Sequence, residues 1–277
     1  MSKLLFLLVF ISMVPVVQAQ TTDTSLFSSV NAVDGKADSS LEFFSMHEKI
    51  AASAWTKIRL VTKARKNITL NSFLNDPEKL YPDHVLADMD GDGKKELVIS
   101  IFTGGAHCCD EISIFRDMGA GKYVQTARLF AGHSMITPTK EIIYTLYEPF
   151  GYFFTCYACG LSDTSDTAPI DIRAVTLVYK DNRIQVKPGD PELRSAILDN
   201  LGKLAEMPYE ELDAEIPMDN GLRKEFAMNL AVYYFSFGKK LPDTKALFDR
   251  FYKFPDAAKV WTAFTKQLRA LRSDSDL

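Results

Sequence analysis

The chain has 277 residues, of which 47% are hydrophobic, so it is long and apolar enough to build a sizeable buried core. Its 32 lysines and arginines against 36 aspartates and glutamates give a formal net charge of -4 at pH 7. Such a charge offers no general attraction for nucleic acid or for an anionic membrane. We therefore expect no nucleic-acid partner.

The N-terminal segment has the features of a secretory signal peptide. Lys3 precedes the apolar run Leu4–Val14, and the small-residue pattern Val17–Ala19 follows that run. We expect cleavage after residue 19, a mature chain that starts at Gln20, and a periplasmic or secreted protein. The apolar run is shorter than the roughly 20 residues that span a bilayer, and no cysteine stands at the cleavage point. Neither a membrane span nor a lipid anchor is expected.

Residues 20–40 are dominated by Thr, Ser, Asp and Ala, and this composition predicts a flexible leader. Residues 41–187 then contain short β-branched and aromatic runs bounded by Gly, Pro, Asp and Asn, a pattern typical of strands. Asp181 and Asn182 predict a tight hairpin between the last two runs, because both residue types tolerate positive φ. The predicted strands are Lys57–Thr62, Leu97–Phe102, Ile112–Arg116, Tyr123–Phe130, Ile142–Tyr147, Tyr152–Tyr157, Ile172–Tyr179 and Arg183–Val186.

Over residues 188–277 the apolar side chains recur with the 3.6-residue period of amphipathic helices. Asp190 and Asn220 are placed to cap the first two helices, Pro242 opens a third and Asp256 is placed to cap a fourth. Together the two regions predict an α+β protein, in which a mainly antiparallel β domain is followed by a small helical C-terminal domain.

One segment of the β region has the composition of a calcium-binding loop. Acidic residues stand at its relative positions 1, 3, 5 and 9, and a glycine stands at position 6. Calcium takes about six to eight oxygen ligands, so these carboxylates and the backbone carbonyl at position 7 can converge on one ion. Without a cation, four carboxylates so close together would repel one another. The predicted metal ligands are Asp88, Asp90, Asp92, Lys94 through its carbonyl, and Glu96.

An EF-hand is excluded, because Ile99 stands where that loop needs a bidentate glutamate and because strands are predicted on both sides. The Asp-x-Asp-Gly-Asp-Gly-x-x-Glu loop with its following apolar strand instead resembles the calcium-binding repeats of the FG-GAP and VCBS type, over about residues 85–130. In that family several repeats assemble a β-propeller, and the resemblance implies bound calcium. Residues 103–109 also resemble a feature of uncharacterised exported bacterial proteins with one such loop. We expect a structural ion that pins two strands.

The four cysteines form two close pairs, and an exported chain favours disulfides over free thiols. We predict two cross-links from one pair to the other, each contributing about 2 to 4 kcal/mol. A zinc site that adds His107 is an alternative, because the later pair has suitable ligand spacing. A second alternative is a thioredoxin-like redox motif formed by the pair at residues 156 and 159. The predicted disulfide residues are Cys108, Cys109, Cys156 and Cys159.

Two hypotheses for the function follow from these observations. The first is an exported, non-enzymatic binding or structural module, stabilised by calcium, that acts on an extracellular or periplasmic protein or glycan. It requires no catalytic residue, and the sequence presents no catalytic motif. The alternative is an exported hydrolase whose site lies near the segment from Gly104 to Glu111. It predicts a pocket in which His107, Asp110 or Glu111 approaches another acid or a hydroxyl group.

Overall fold

The computed structural model describes residues 42–64, 66–102, 110–131, 135–157, 159–161, 172–212, 218–274 and 277. The predicted signal peptide (residues 1–19) and the predicted leader (residues 20–40) lie outside these residues. The described part contains two β-sheets followed along the chain by helices. This arrangement confirms the predicted α+β class.

The larger sheet contains β1 (Arg59–Val61), β2 (Asn67–Thr69), β3 (Leu80–Ala87), β4 (Glu96–Phe102), β5 (Asp110–Asp117) and β6 (Lys122–Ala131). Its spatial order is β2-β1-β6-β5-β4-β3, and every pairing is antiparallel except that of β1 with β6. Strand β4 is buried on both faces, because Val98 packs into one core cluster while Leu97 and Ile99 pack into another. Burial on both faces accounts for its nearly unbroken apolar sequence.

The smaller sheet contains β7 (Met135–Ile136), β8 (Ile142–Thr145), β9 (Ala174–Lys180) and β10 (Arg183–Val186). Its order is β10-β9-β8-β7, and all its pairings are antiparallel. Between β9 and β10, Asp181 and Asn182 have φ angles of 52° and 61°. The predicted hairpin is confirmed, since two consecutive residues with positive φ are the geometry of a tight two-residue turn.

The helices of the described part are α1 (Leu70–Leu74), α2 (Tyr147–Phe150), α3 (Pro191–Ala205), α4 (Leu222–Ser236), α5 (Leu241–Phe251) and α6 (Ala257–Asp274). A further helical turn covers residues 42–46, and a short 3-10 helix covers Ala52–Ala54. None of the helices in these residues has the length and apolar character that crossing a membrane requires. Asp190 caps α3, because its side chain accepts the amide of Leu193 at 2.7 Å.

The cap of α4 and one predicted strand differ from the sequence-based expectation. The N-cap of α4 is Gly221, at φ 97°. The side chain of Asn220 accepts the amide of Leu222 at 3.2 Å, and the side chain of Asp219 accepts the amide of Arg223 at 3.1 Å. Residues 152–157 form turns and bends, so the strand predicted there is wrong. Helix α2 directly precedes these residues. At Gly151 the chain then turns back so tightly that a Cβ atom added to this glycine would lie 2.5 Å from the Tyr157 ring.

Two core clusters hold these elements together. The larger cluster joins one face of the six-stranded sheet, the smaller sheet and the C-terminal helices, and includes Tyr144, Leu177 and Phe226. The smaller cluster lies on the other face of the six-stranded sheet, where Phe73 of α1 packs against Phe115. The predicted boundary after residue 187 therefore marks a change from strands to helices. The larger core cluster contains residues from both sides of it.

Candidate metal centre

The acidic loop lies between two antiparallel strands. It connects β3 to β4, whose register pairs Ala87 with Glu96 at its two ends. Gly91 and Gly93 have φ angles of 76° and 86°, so the loop turns through conformations that side chains with a Cβ rarely adopt. Ile99 is fully buried in β4. The predicted strand flanks are confirmed, and they distinguish this loop from an EF-hand, in which helices flank the ion site.

Three carboxylates converge at the base of the loop. One oxygen from each of Asp88, Asp90 and Glu96 lies within 4.8 Å of the others, a grouping that could hold a metal ion. Asp92 is not part of this group; it is exposed, and its carboxylate accepts the amide of Lys94 at 2.8 Å. The structure thus brings together three of the four predicted acidic ligands, while ligation by Asp92 and by the carbonyl of Lys94 stays a prediction.

Backbone amides of the loop orient the converging carboxylates. The amide of Gly93 donates to Oδ2 of Asp88 at 3.2 Å, and the amide of Met89 donates to Oε2 of Glu96 at 2.9 Å. Oδ1 of Asp90 accepts the amide of Asp92 at 3.2 Å. In contrast, Oδ1 of Asp88 is buried and has no hydrogen-bond partner in the part of the chain that the structure describes. An unpartnered buried carboxylate oxygen is costly, and a cation in the loop would satisfy it.

The electrostatics of the loop also favour a cation. Glu96 is 2% exposed. Burial raises the pKa of its carboxyl to about 7, the charges of Asp90 and Asp92 add to that rise, and the hydrogen bond from Met89 opposes it. The ammonium of Lys140 donates to the backbone carbonyl of Asp88 at 2.5 Å rather than to a carboxylate. A metal ion would neutralise charge that these groups leave uncompensated.

No protein-family model, no curated protein and no solved structure matches the chain. The resemblance to FG-GAP and VCBS repeats accordingly stays a prediction.

The disulfide pattern differs from the predicted one. Cys156 is bonded to Cys159, with a Cα–Cα distance of 5.0 Å, within a turn closed by a 3.1 Å hydrogen bond from the amide of Cys159 to the carbonyl of Cys156. The tight turn presents the two sulfurs to each other, so the predicted cross-links from this pair to Cys108 and Cys109 are wrong. Cys108 and Cys109 themselves lie outside the described residues. The bond also removes the two sulfurs from the alternative zinc site, which requires thiolates.

A buried lysine, which no sequence motif indicated, supports this turn. Lys224 belongs to α4 and is fully buried. Its ammonium group donates to the carbonyls of Cys156, Tyr157 and Cys159. Burial lowers the pKa of Lys224. Three carbonyl acceptors match the three N–H donors of an ammonium group, so its role is structural. The only signal in the sequence is a charged triplet, residues 223–225, at the start of an otherwise apolar helix.

The segment favoured by the hydrolase hypothesis is only partly described. Residues 103–109, with His107, lie outside the described residues. Glu111 lines a cavity and does approach a hydroxyl group, because its Oε1 accepts from Oγ of Ser113 at 3.2 Å. Its Oε2 accepts from Arg128 at 2.8 Å. Ser113 is 0% exposed, so its hydroxyl is out of reach of a substrate, and Glu111 is already held in an ion pair.

Proposed function

We propose that this chain is an exported, non-enzymatic module whose β domain is stabilised by calcium bound at residues 88–96. The module would act on an extracellular or periplasmic protein or glycan. The observation that supports the proposal best is the convergence of one carboxylate oxygen from each of Asp88, Asp90 and Glu96. The buried Oδ1 of Asp88, to which no group in the described residues donates a hydrogen bond, adds to that support.

The donor set favours calcium over the other common protein metals. All three converging groups are carboxylates, and hard oxygen donors suit calcium and magnesium, whereas zinc prefers nitrogen and sulfur. Magnesium needs a near-ideal octahedron, whereas calcium tolerates the irregular geometry of a short loop. An ion at this place would join the end of β3 to the start of β4, which is a stabilising position within the larger sheet.

Titration calorimetry tests the metal site. We expect calcium to release binding heat on titration into the protein, and magnesium to bind more weakly. Asp90→Asn should abolish the calcium signal, because it removes one of the three charges. Asp181→Asn is the matched control; Asp181 is exposed in the β9–β10 turn, where asparagine tolerates its positive φ. Equal calcium heats for Asp90→Asn and the control would overturn the proposed site.

Export and partner binding require separate measurements. When the full chain is produced with its own N-terminus in a bacterial host, we expect it in the periplasm or medium with Gln20 as the first residue. Retention in the cytoplasm with residues 1–19 attached would contradict export. A glycan array and a cross-linking experiment, each run in calcium and in EDTA, should show partner binding that weakens in EDTA. Turnover of a hydrolase substrate panel, lost in Glu111→Gln, would instead favour the hydrolase alternative.

A further inference from the structure

A half-enclosed cavity lies on the opposite side of the larger sheet from the C-terminal helices. Its volume is about 370 Å³, and it is bounded by residues 62–64 and 66 between β1 and β2, by α1 and its following turn, and by strands β5 and β6. The volume falls near the lower end of the roughly 300 to 1,000 Å³ typical of small-molecule sites. Its charged lining residues are Lys63, Lys66, Lys79, Arg128, Asp76 and Glu111.

The floor of the cavity is a continuous polar network on the sheet. Gln125 accepts the amide of Lys63 at 2.9 Å and donates to Oγ of Ser113 at 2.9 Å. Ser113 in turn donates to Glu111, and Glu111 accepts from Arg128. Gln125 and Ser113 are buried, so the network is fixed from below. The ion pair with Arg128 also compensates the charge of Glu111, which would otherwise repel an anion.

One wall presents a lysine whose donors are poorly satisfied. Nζ of Lys79 lies 3.5 Å from the carbonyl of Phe73 and 3.6 Å from Oδ2 of Asp76, and its side chain is only 22% exposed. Both distances exceed the roughly 2.7 to 3.2 Å of a good N–H···O hydrogen bond. The ammonium lies 3.3 Å from the centroid of the Phe73 ring, which contributes a cation–π contact but no oxygen acceptor.

We propose that this cavity binds a small oxyanion, of the carboxylate or phosphate type, whose oxygens accept from the ammonium of Lys79. Among the lining residues that the structure describes, four are basic and two are acidic, a balance that favours a negative ligand. Phe73 and Ile68 provide an apolar wall for the rest of a small organic acid. The site is separate from the acidic loop and does not depend on calcium.

The test follows backbone amide chemical shifts of the protein during titration with sodium phosphate, sodium acetate or sodium chloride at constant ionic strength. We expect saturable shifts at Thr62, Lys63 and Gln125 with phosphate, acetate or both, and none with chloride. Whichever oxyanion binds more tightly identifies the ligand type. Absence of saturation by both oxyanions up to about 50 mM would overturn the proposal, because binding that weak is below about 2 kcal/mol.

One variant and a control separate this site from general charge effects. Lys79→Met keeps the apolar stem on Phe73 but removes the ammonium. It should raise the Kd of the better-binding oxyanion about tenfold, the value of one hydrogen bond to a charged group. The control Lys187→Met, which removes an exposed lysine paired with Glu141, should leave it unchanged. An unchanged Kd in folded Lys79→Met, or an equal rise in the control, would overturn the proposal.

Discussion

The amide of Met89 donates a 2.9 Å hydrogen bond to Oε2 of Glu96, seven residues further along the chain. Met89 is buried in the larger core cluster, so this bond ties the start of the acidic loop, the core and the last loop carboxylate together. Glu96 consequently has two roles in the loop. It orders the backbone through one oxygen, and it contributes to the three-carboxylate group that could hold an ion.

Glu96→Gln should affect the cation-free and calcium-loaded proteins in opposite directions. Without calcium, glutamine keeps an oxygen acceptor for Met89 and removes a buried negative charge near Asp90. Because the folded pKa of Glu96 is about 7 and its ordinary value is 4.5, the folded state disfavours the ionised form. At pH 8 in EDTA, urea unfolding should show a gain on the order of 2 kcal/mol in the free energy of unfolding.

In calcium the same variant should lose most of the stabilisation that calcium gives the unmodified protein. The matched control is Glu211→Gln, an exposed residue outside the loop, which should change neither measurement by more than about 0.5 kcal/mol. A loss of stability for Glu96→Gln in EDTA would show that the ionised carboxylate supports the empty loop.

Lys224→Met should destabilise the protein by about 3 kcal/mol, because it leaves three buried or partly buried carbonyls of the 156–159 turn without their shared donor. Methionine fills a similar volume, so the loss of packing is small. Urea unfolding measures the effect, with Lys245→Met as control. Lys245 is exposed in an ion pair with Asp249, and its loss should cost less than about 1 kcal/mol. Equal effects of the two variants would rule out a structural role for Lys224.

Replacing both Cys156 and Cys159 by serine should cost about 2 kcal/mol, since the bond closes a loop of only four residues and so restricts the unfolded chain little. The cost should be smaller than that of Lys224→Met. Urea unfolding of the double variant, with and without a reducing agent, measures it. A much larger loss would mean that the bond, rather than the ammonium, holds the turn in place.

The sequence predicted those parts of the fold that depend on local pattern. Apolar runs beside the acidic loop located β4, and Asp190 located the start of α3, because periodicity and capping act within a few residues. The acidic spacing likewise located three converging carboxylates, since a tight loop keeps neighbours in sequence close in space.

Features that depend on the tertiary fold could not be predicted in this way. The bond between Cys156 and Cys159 depends on a turn. The turn could not be predicted, because the aromatic run at 152–157 has the composition of a strand. The cavity at Lys79 combines side chains that are brought together only by the parallel pairing of β1 with β6 and by the packing of α1. No spacing rule joins residues so far apart in the chain.

His84 should make the stability of the protein sensitive to acid. It is 5% exposed, its ring contacts Trp55, and its Nε2 lies 3.3 Å from the carbonyl of Ile50. Burial lowers the pKa of His84 below its ordinary value of 6.5, while the Ile50 carbonyl opposes that shift. The unfolded chain therefore binds this proton more readily, so the contribution of His84 to stability is complete above pH 6.5 and falls as the pH drops below that value.

Urea unfolding at several pH values from about 8 to 5 checks this dependence. Carboxylates of the protein also titrate in part of this range, so the informative quantity is the difference between the unmodified protein and His84→Phe. Phenylalanine keeps a ring against Trp55 but cannot bind a proton. The variant should lose less stability between pH 7 and 5 than the unmodified protein does, even if its stability at pH 8 is lower. Parallel pH profiles would mean that His84 has the same proton affinity in the folded and unfolded states, which its burial beside Trp55 argues against.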